Sequence, residues 1–255
     1  MDLELTDHAF LITGGTDGLG LALAQSLISE GARVAVCGRD VDRLAAAQQQ
    51  LGSAALCVAT DVTNESQLDR FIDAALQSFG RLDGAVNNAG HSSASPVATS
   101  TDDAWRADYE LKVIAAVHVA RRCTEALVLS SGSILNVLSI TAKAPPAGST
   151  PTAASRAAGL ALTKAMANEL APQGVRVNAI LIGLIESGQW TRIAEQSNMA
   201  IGDLYEMITR NQKIPMGRVG RAEEFAALAT FVLSPKASYL TGVAINLDGG
   251  LSPTV

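Results

Sequence analysis

Thr152 and Arg156 stand four residues apart at the head of an Ala- and Leu-rich run. That spacing puts a hydroxyl and a guanidinium on one face of a helix. Ser149 and Thr150 precede Pro151, where helix-starting residues belong, so the pair is expected near the N-terminal end of a helix over 152–171. A hydroxyl donates one hydrogen bond and accepts others, while a guanidinium keeps its charge at any working pH. The pair is either a reaction site or the polar corner of a packed helix, and its surroundings decide which.

A second chemistry is written into "LITGGTDGLGLALAQSL" (11–27), which reads as strand, glycine-rich turn, helix. Gly14, Gly18 and Gly20 permit a tight turn whose backbone N–H groups approach a pyrophosphate, with the helix N-terminus favouring its charge. Thr16, Asp17 and Leu19 fill the same turn. About twenty residues on, where an NAD site usually places an acid, the second strand ends at Arg39. A guanidinium there suits a 2′-phosphate, which favours NADP, with NAD as the alternative. Asp40 reads as the N-cap of the next helix.

The elements that must position these residues alternate almost from end to end. Runs at 9–14, 33–37, 55–59, 83–87, 133–138, 175–181 and 243–247 read as strands. Their hydrophobicity is continuous rather than alternating, as in strands covered on both faces. Helical periods fill 64–79, 102–129 and 152–171, the first opening on an Asn64–Gln67 capping box. This order predicts an α/β fold in one domain over 1–255, a parallel sheet with helices on both faces and ligands at the strands' carboxyl ends. The segment 188–220 breaks the rhythm and is expected to be a lid over that edge. Its Trp190, Ile193, Met199, Leu204, Tyr205, Met207 and Ile208 suit an apolar or partly aromatic portion of a small-molecule substrate.

Composition narrows the classes. The 255 residues are 48% hydrophobic with a formal charge of −6, which argues against a nucleic-acid partner. No uninterrupted apolar stretch of about 18 residues suggests a membrane span, and "MDLELTDH" lacks the apolar core of a secretory signal. Cys37, Cys57 and Cys123 show no CxxC spacing and read as buried free thiols, so a cytoplasmic location is expected. No residue pattern suggests a metal site.

Together "TGGTDGLG" (13–20), "DV" (61–62), "NNAG" (87–90), "LAPQGVRVNAI" (170–180) and "YLTGVAINLDGG" (239–250) resemble the short-chain dehydrogenase/reductase family over nearly the whole chain. The resemblance implies a Rossmann-like sheet of about seven parallel strands, a nicotinamide cofactor and a homotetramer. It implies adenine contacts from Asp61 and Val62, and places Asn88, Ala89 and Gly90 beside the ribose. In "LIGLIES" (181–187) it brings Gly183, Ile185 and Ser187 near the carboxamide, with Ile182 where proline is usual and Ser187 where threonine is usual.

The family's catalytic set is an Asn, a Ser, and a Tyr followed four residues later by Lys. Ser139 fits the serine position. Thr152 takes the tyrosine position, Arg156 the lysine position, and Lys112 the asparagine position. Tyr109, Tyr205 and Tyr239 fall elsewhere. In the family the lysine lowers the tyrosine pKa from about 10 toward working pH for proton transfer. Threonine is far too weak an acid for that role, and Arg156 cannot shuttle a proton but can hold the nicotinamide ribose or an anionic group. Lys112, His91 and Lys143 are the candidates to supply the proton. Three readings stay open: an NADP(H)-dependent oxidoreductase on a carbonyl or alcohol with a substitute donor, a cofactor-binding sensor or inactive subunit, and a non-redox lyase or isomerase.

Overall fold

Strands β1 (Ala9–Thr13), β2 (Arg33–Gly38), β3 (Ala55–Ala59), β4 (Gly84–Asn87), β5 (Ser133–Ser139), β6 (Arg176–Ile182) and β7 (Ala244–Leu247) form one parallel sheet in the order β3-β2-β1-β4-β5-β6-β7. The computed structural model describes every residue, Met1–Val255. Around the sheet lie α1 (Gly18–Ser29), α2 (Val41–Leu51), α3 (Glu65–Phe79), α4 (Asp102–Tyr109), α5 (Ala115–Ser130), α6 (Thr152–Leu170), α7 (Gly188–Gln196), α8 (Ile201–Gln212) and α9 (Ala222–Leu233).

Successive side chains of a strand point to opposite faces. In β1, Phe10 and Ile12 join a core with Leu23 and Leu27 of α1 and Phe225 and Val232 of α9. Leu11 turns the other way, into a core with Phe71 of α3, Val119 of α5 and Met166 of α6. Each strand therefore needs apolar residues on both sides, which is why the runs are continuous. Strand order reverses between β1 and β4, and the crevice that opens there at the carboxyl ends is where such sheets hold ligands. None of the helices is long and apolar enough to cross a membrane.

Four local expectations are corrected. The helix expected over 102–129 is interrupted by a π-helical turn at Glu110–Ile114, where the Ala115 amide reaches back to the Glu110 carbonyl. The capping box of α3 is half formed: Asn64 accepts the Gln67 amide at 3.0 Å, but the Gln67 side chain accepts the Asp61 amide at 2.8 Å. Ser149 and Thr150 do not cap α6, because their hydroxyls donate to the Pro146 carbonyl at 2.6 Å and the Ser95 carbonyl at 2.9 Å. Cys37 and Cys123 are buried free thiols, whereas Cys57, beside the sheet edge, is only half-buried. Asp40 caps α2 as expected, accepting the Asp42 and Arg43 amides.

Candidate active site

The turn from β1 into α1 is shaped by glycine. Gly14 and Gly18 take φ of +67° and +52°, left-handed backbone that side chains disfavour. At Gly20 a Cβ would come 2.3 Å from the Gly14 carbonyl oxygen, so only glycine lets α1 start this close to the turn. Asp17 caps α1 by accepting the Gly18 amide at 2.7 Å, and its other carboxylate oxygen pairs with Arg192 of α7 at 3.2 Å. Thr16 packs under Gly38, where a Cβ would meet its hydroxyl at 2.8 Å, and Leu19 packs against the core. The strip after β6 lies over this turn: Ser187 is the nearest neighbour of Gly18, and Gly183 sits against Asp248.

Arg39 is exposed at the end of β2. Its charge reaches Asp61, whose Oδ1 accepts the Thr63 amide at 3.0 Å and hydroxyl at 2.8 Å. Burial works against the ionised form of Asp61, but the Thr63 bonds and the field of Arg39 outweigh it and hold the carboxyl below its usual range.

At three expected cofactor positions the side chain has another use. Val62 and Ile185 turn their side chains into the two cores, leaving only backbone at the strand ends. The Asn88 amide donates to the Thr13 and Gly14 carbonyls at 3.0 and 2.8 Å, so it braces the glycine turn instead of facing a ribose. Thr13, missed in the sequence, completes that brace by accepting the Asn88 and Ala89 amides at 3.0 and 3.1 Å. Gly90 lies against Arg156, whose Nη2 would be 3.1 Å from a Cβ there.

Ser139 closes β5. Its Oγ accepts from the Thr141 hydroxyl at 3.1 Å and the Thr141 amide at 3.3 Å, so its own hydrogen is left to donate. Thr152 is the first residue of α6, buried, and its Oγ1 accepts from Lys112 Nζ at 2.8 Å. One turn on, Arg156 donates to the Val137 carbonyl at 2.6 Å. Burial pushes its guanidinium down to about 10, still charged at neutral pH.

Lys112 projects from the π-helical turn into the interior, where it pairs with Asp108. Burial pushes the ammonium down to about 8, opposed by Asp108 and assisted by Arg156. Asp108 is itself 2% exposed and accepts hydrogen bonds from Lys112, Ser93 and Ser155. Of this group only Lys112 stands out in the sequence. The one available signal, an acid four residues before a lysine, looks the same as a surface ion pair. A cavity of about 20 Å³, the size of a single water, is lined by Lys112, Arg156, Thr13, Asn87 and Asn136.

Lys143 is removed from the candidates: its Nζ donates to the Ala244 carbonyl at 3.3 Å and Asn246 Oδ1 at 3.0 Å, tying its loop to β7. His91 is exposed beside the site, its pKa lowered by desolvation and then by the Lys112 charge. The arrangement sets donor hydrogens from Ser139 and Thr152 at the crevice with two cations behind them. That is a setting for an oxygen that gains negative charge.

A doubly wound parallel sheet with a glycine cradle at its reversal point defines a Rossmann-type dinucleotide-binding protein. The chain belongs to the short-chain dehydrogenase/reductase family. Residues 14–252 match the family model described as Enoyl-(Acyl carrier protein) reductase. Among solved structures, the short chain oxidoreductase from Pseudomonas aeruginosa PAO1, described as containing an atypical catalytic center, is 37% identical. It superposes with a TM-score of 0.93 over 98% of this chain and 99% of its own. The same oxidoreductase has also been solved with NADPH bound. L-Sorbose reductase from Gluconobacter frateurii, complexed with NADPH and L-sorbose, is 30% identical with a TM-score of 0.93 over 100% of both chains. Sorbitol dehydrogenase of Cereibacter sphaeroides is 29% identical over 97% of this chain and 98% of its own.

Proposed function

We propose that the protein is an NADP(H)-dependent oxidoreductase acting on a carbonyl or alcohol, with Ser139, Thr152, Lys112 and Arg156 as its catalytic residues. The observation that carries this reading is the 2.8 Å bond from Lys112 Nζ to Thr152 Oγ1. A threonine hydroxyl alone is too weak an acid to serve as proton donor. With an ammonium bonded to its oxygen it passes on its own proton and takes another, so the acid of the site is Lys112 rather than a tyrosine.

The cradle fits the cofactor on the chain's own terms. The turn admits only glycine at Gly20, where a Cβ would meet the Gly14 carbonyl oxygen at 2.3 Å, and Arg39 is exposed at the end of β2, free to meet a 2′-phosphate. The NADPH held by the Pseudomonas oxidoreductase and by L-sorbose reductase supports the same choice. Gly14, Thr16, Asp17, Gly18, Leu19 and Gly20 take the pyrophosphate, Asp61 and Val62 the adenine side, and Ala89, Gly90, Gly183 and Ser187 the nicotinamide side. Bound there, the dinucleotide supplies the hydride. Ser139 and Thr152 orient the substrate oxygen by hydrogen bonds, and Arg156 keeps a fixed positive charge beneath it. Residues 188–220, carrying α7 and α8, act as the lid, and the Asp17–Arg192 pair ties the lid to the glycine turn.

The test is oxidation of NADPH in the presence of 2,3-butanedione and related reactive carbonyls. Thr152→Ala is expected to lower kcat/KM by about 10²–10⁴-fold, the worth of a positioned acid-base group, with the NADPH Kd unchanged. Equal turnover in the two proteins would move the reading to a cofactor-binding protein without this chemistry.

A further inference from the structure

Asp108 takes no part in the hydride or proton chemistry of the crevice, yet it is the most heavily bonded carboxylate near it. Its side chain is 1% exposed, and so is that of Lys112. Taking a carboxylate and an ammonium out of water costs several kcal/mol each, and such pairs are often no better for stability than apolar residues. A pair of this kind is weak evidence for a stabilising device, and its placement argues for another use. Asp108 Oδ1 accepts from Lys112 Nζ, the atom that also donates to Thr152 Oγ1. Its other oxygen accepts from Ser155 Oγ at 2.5 Å, on the turn of α6 that carries Thr152. Ser93 Oγ donates to Asp108 from the loop after β4. That loop is stitched to the residues before α6 by Ser95, whose amide donates to the Thr150 carbonyl at 2.7 Å. One carboxylate thus joins the lysine, the helix bearing the threonine and the loop beside the substrate crevice.

We propose that Asp108 is a positioning residue of this site: it keeps the Lys112 ammonium charged and aimed at Thr152 Oγ1, so that Lys112 is the source of the proton that the threonine passes to substrate. The proposal rests on the oxidoreductase reading of the site. In reduction, the carbon–oxygen π bond breaks as the carbonyl carbon accepts the hydride. The oxygen takes the Thr152 hydroxyl proton, and Thr152 Oγ1 takes one from Lys112 Nζ. A neutral amine remains, to be protonated again from solvent.

The charges facing Lys112 come from every element packed on it. Asp108 of α4 favours the ammonium; Arg156 of α6 opposes it, and burial opposes it most. His91, on the loop after β4, lies within the field of Lys112, Asp108, Arg39 and Arg156. Removing Asp108 therefore leaves the ammonium with desolvation, positive neighbours and two neutral acceptors, Thr152 Oγ1 and Ser93 Oγ, and its pKa falls below about 8. An opposite charge at this range is worth about 1–3 pH units.

The experiment reads Lys112 directly. The chain has five lysines, so ¹⁵N-lysine labelling gives few Nζ signals, and Lys112→Arg identifies the one that matters. In the wild type this signal is expected to titrate near pH 8, apart from the other four. In Asp108→Asn it is expected about 1–3 pH units lower, and Asp108→Glu should bring it back toward the wild-type position. Reduction of 2,3-butanedione should lose kcat/KM through the same pH values, since only the ammonium carries a proton to give, while Lys112→Arg lowers kcat with little change in KM. A Lys112 signal that does not move to lower pH in Asp108→Asn overturns the proposal. Asp108→Ser, read in the same way, decides if Asp108→Asn fails to fold. Lack of carbonyl turnover in the wild type would fell the oxidoreductase reading and the proton route with it, while the Nζ titration, which needs no turnover, still tests the hold of Asp108 on Lys112.

Discussion

Arg39 and Asp108 show two ways in which one side chain acquires a function. Arg39 is free of close partners, exposed at a strand end, and its use derives from its place in the chain. Arg39→Ala is expected to weaken NADPH binding by about 1.5–3 kcal/mol, the scale of a hydrogen bond to a charged group, and to leave NADH binding nearly unchanged. Calorimetric titration of both nucleotides decides it, and equal losses for the two would remove Arg39 from the 2′-phosphate. This residue is legible in the sequence because a local rule, an acid or a base at the end of the second strand, carries the information. Asp108 is not, since its meaning depends on which way the helix turns. Asn88 lies between the two cases: its motif marks the end of β4 correctly, but which partner its amide chooses is a matter of ångströms that Thr13 and Gly14 settle.

At the scale of elements, the same division separates the features periodicity reveals from those packing imposes. Each strand is recognisable because both of its faces are covered, and each ends within a residue of its expected place. The turn from β1 to α1 is recognisable because glycine alone tolerates it. Gly20→Ala would force a Cβ to 2.3 Å from the Gly14 oxygen, and the loop must yield. Overpacking of this kind costs about 1–3 kcal/mol. The variant is expected to show a lower Tm and, because the displaced turn is the proposed phosphate cradle, a larger loss in NADPH affinity than Arg39→Ala. Thermal unfolding with and without NADPH measures both; a variant stabilised by NADPH as much as wild type would contradict this role for the turn. The π-helical turn at Glu110–Ile114 has no counterpart in the hydrophobic pattern. An extra residue in a helical turn shifts the phase of the later turns without changing composition. Here it occurs where Lys112 enters the interior to meet Asp108 and Thr152, so its cause is tertiary. The start of α6 departs from expectation for a similar reason: Ser149 and Thr150 are helix-capping types, but nearby carbonyls engage their hydroxyls first.

For the whole molecule, the question is what covers the outer face of α6. Alanines on α5 and α6 differ in what they are free to pack against, and Ala158 of α6 is half-buried. Ala115, Ala116 and Ala120 of α5 are buried within the chain and serve its own core. Ala157, Ala161 and Ala165 of α6 are exposed at four-residue steps, one stripe on the outer side of that helix. A groove beside it is lined by Leu160, Lys164 and Gly242–Ala244, and Ile114 is 49% exposed at the head of α5. A stripe without bulk lets a second helix approach closely, and a copy of the same stripe across a two-fold axis is self-complementary. The expected assembly is a homotetramer with closed symmetry, about four times the 26.4 kDa chain mass. Ala161→Arg adds a long charged side chain at an exposed position, so the fold of one chain has no reason to change, while two guanidiniums, one from each copy, would meet at the axis. Light scattering at micromolar concentration should give the tetramer mass for wild type and a dimer or monomer for Ala161→Arg. NADPH binding by the variant would show that its site is intact. A wild-type mass equal to one chain, or a variant that assembles as wild type does, would mean that this face of α6 is not where copies of the chain meet.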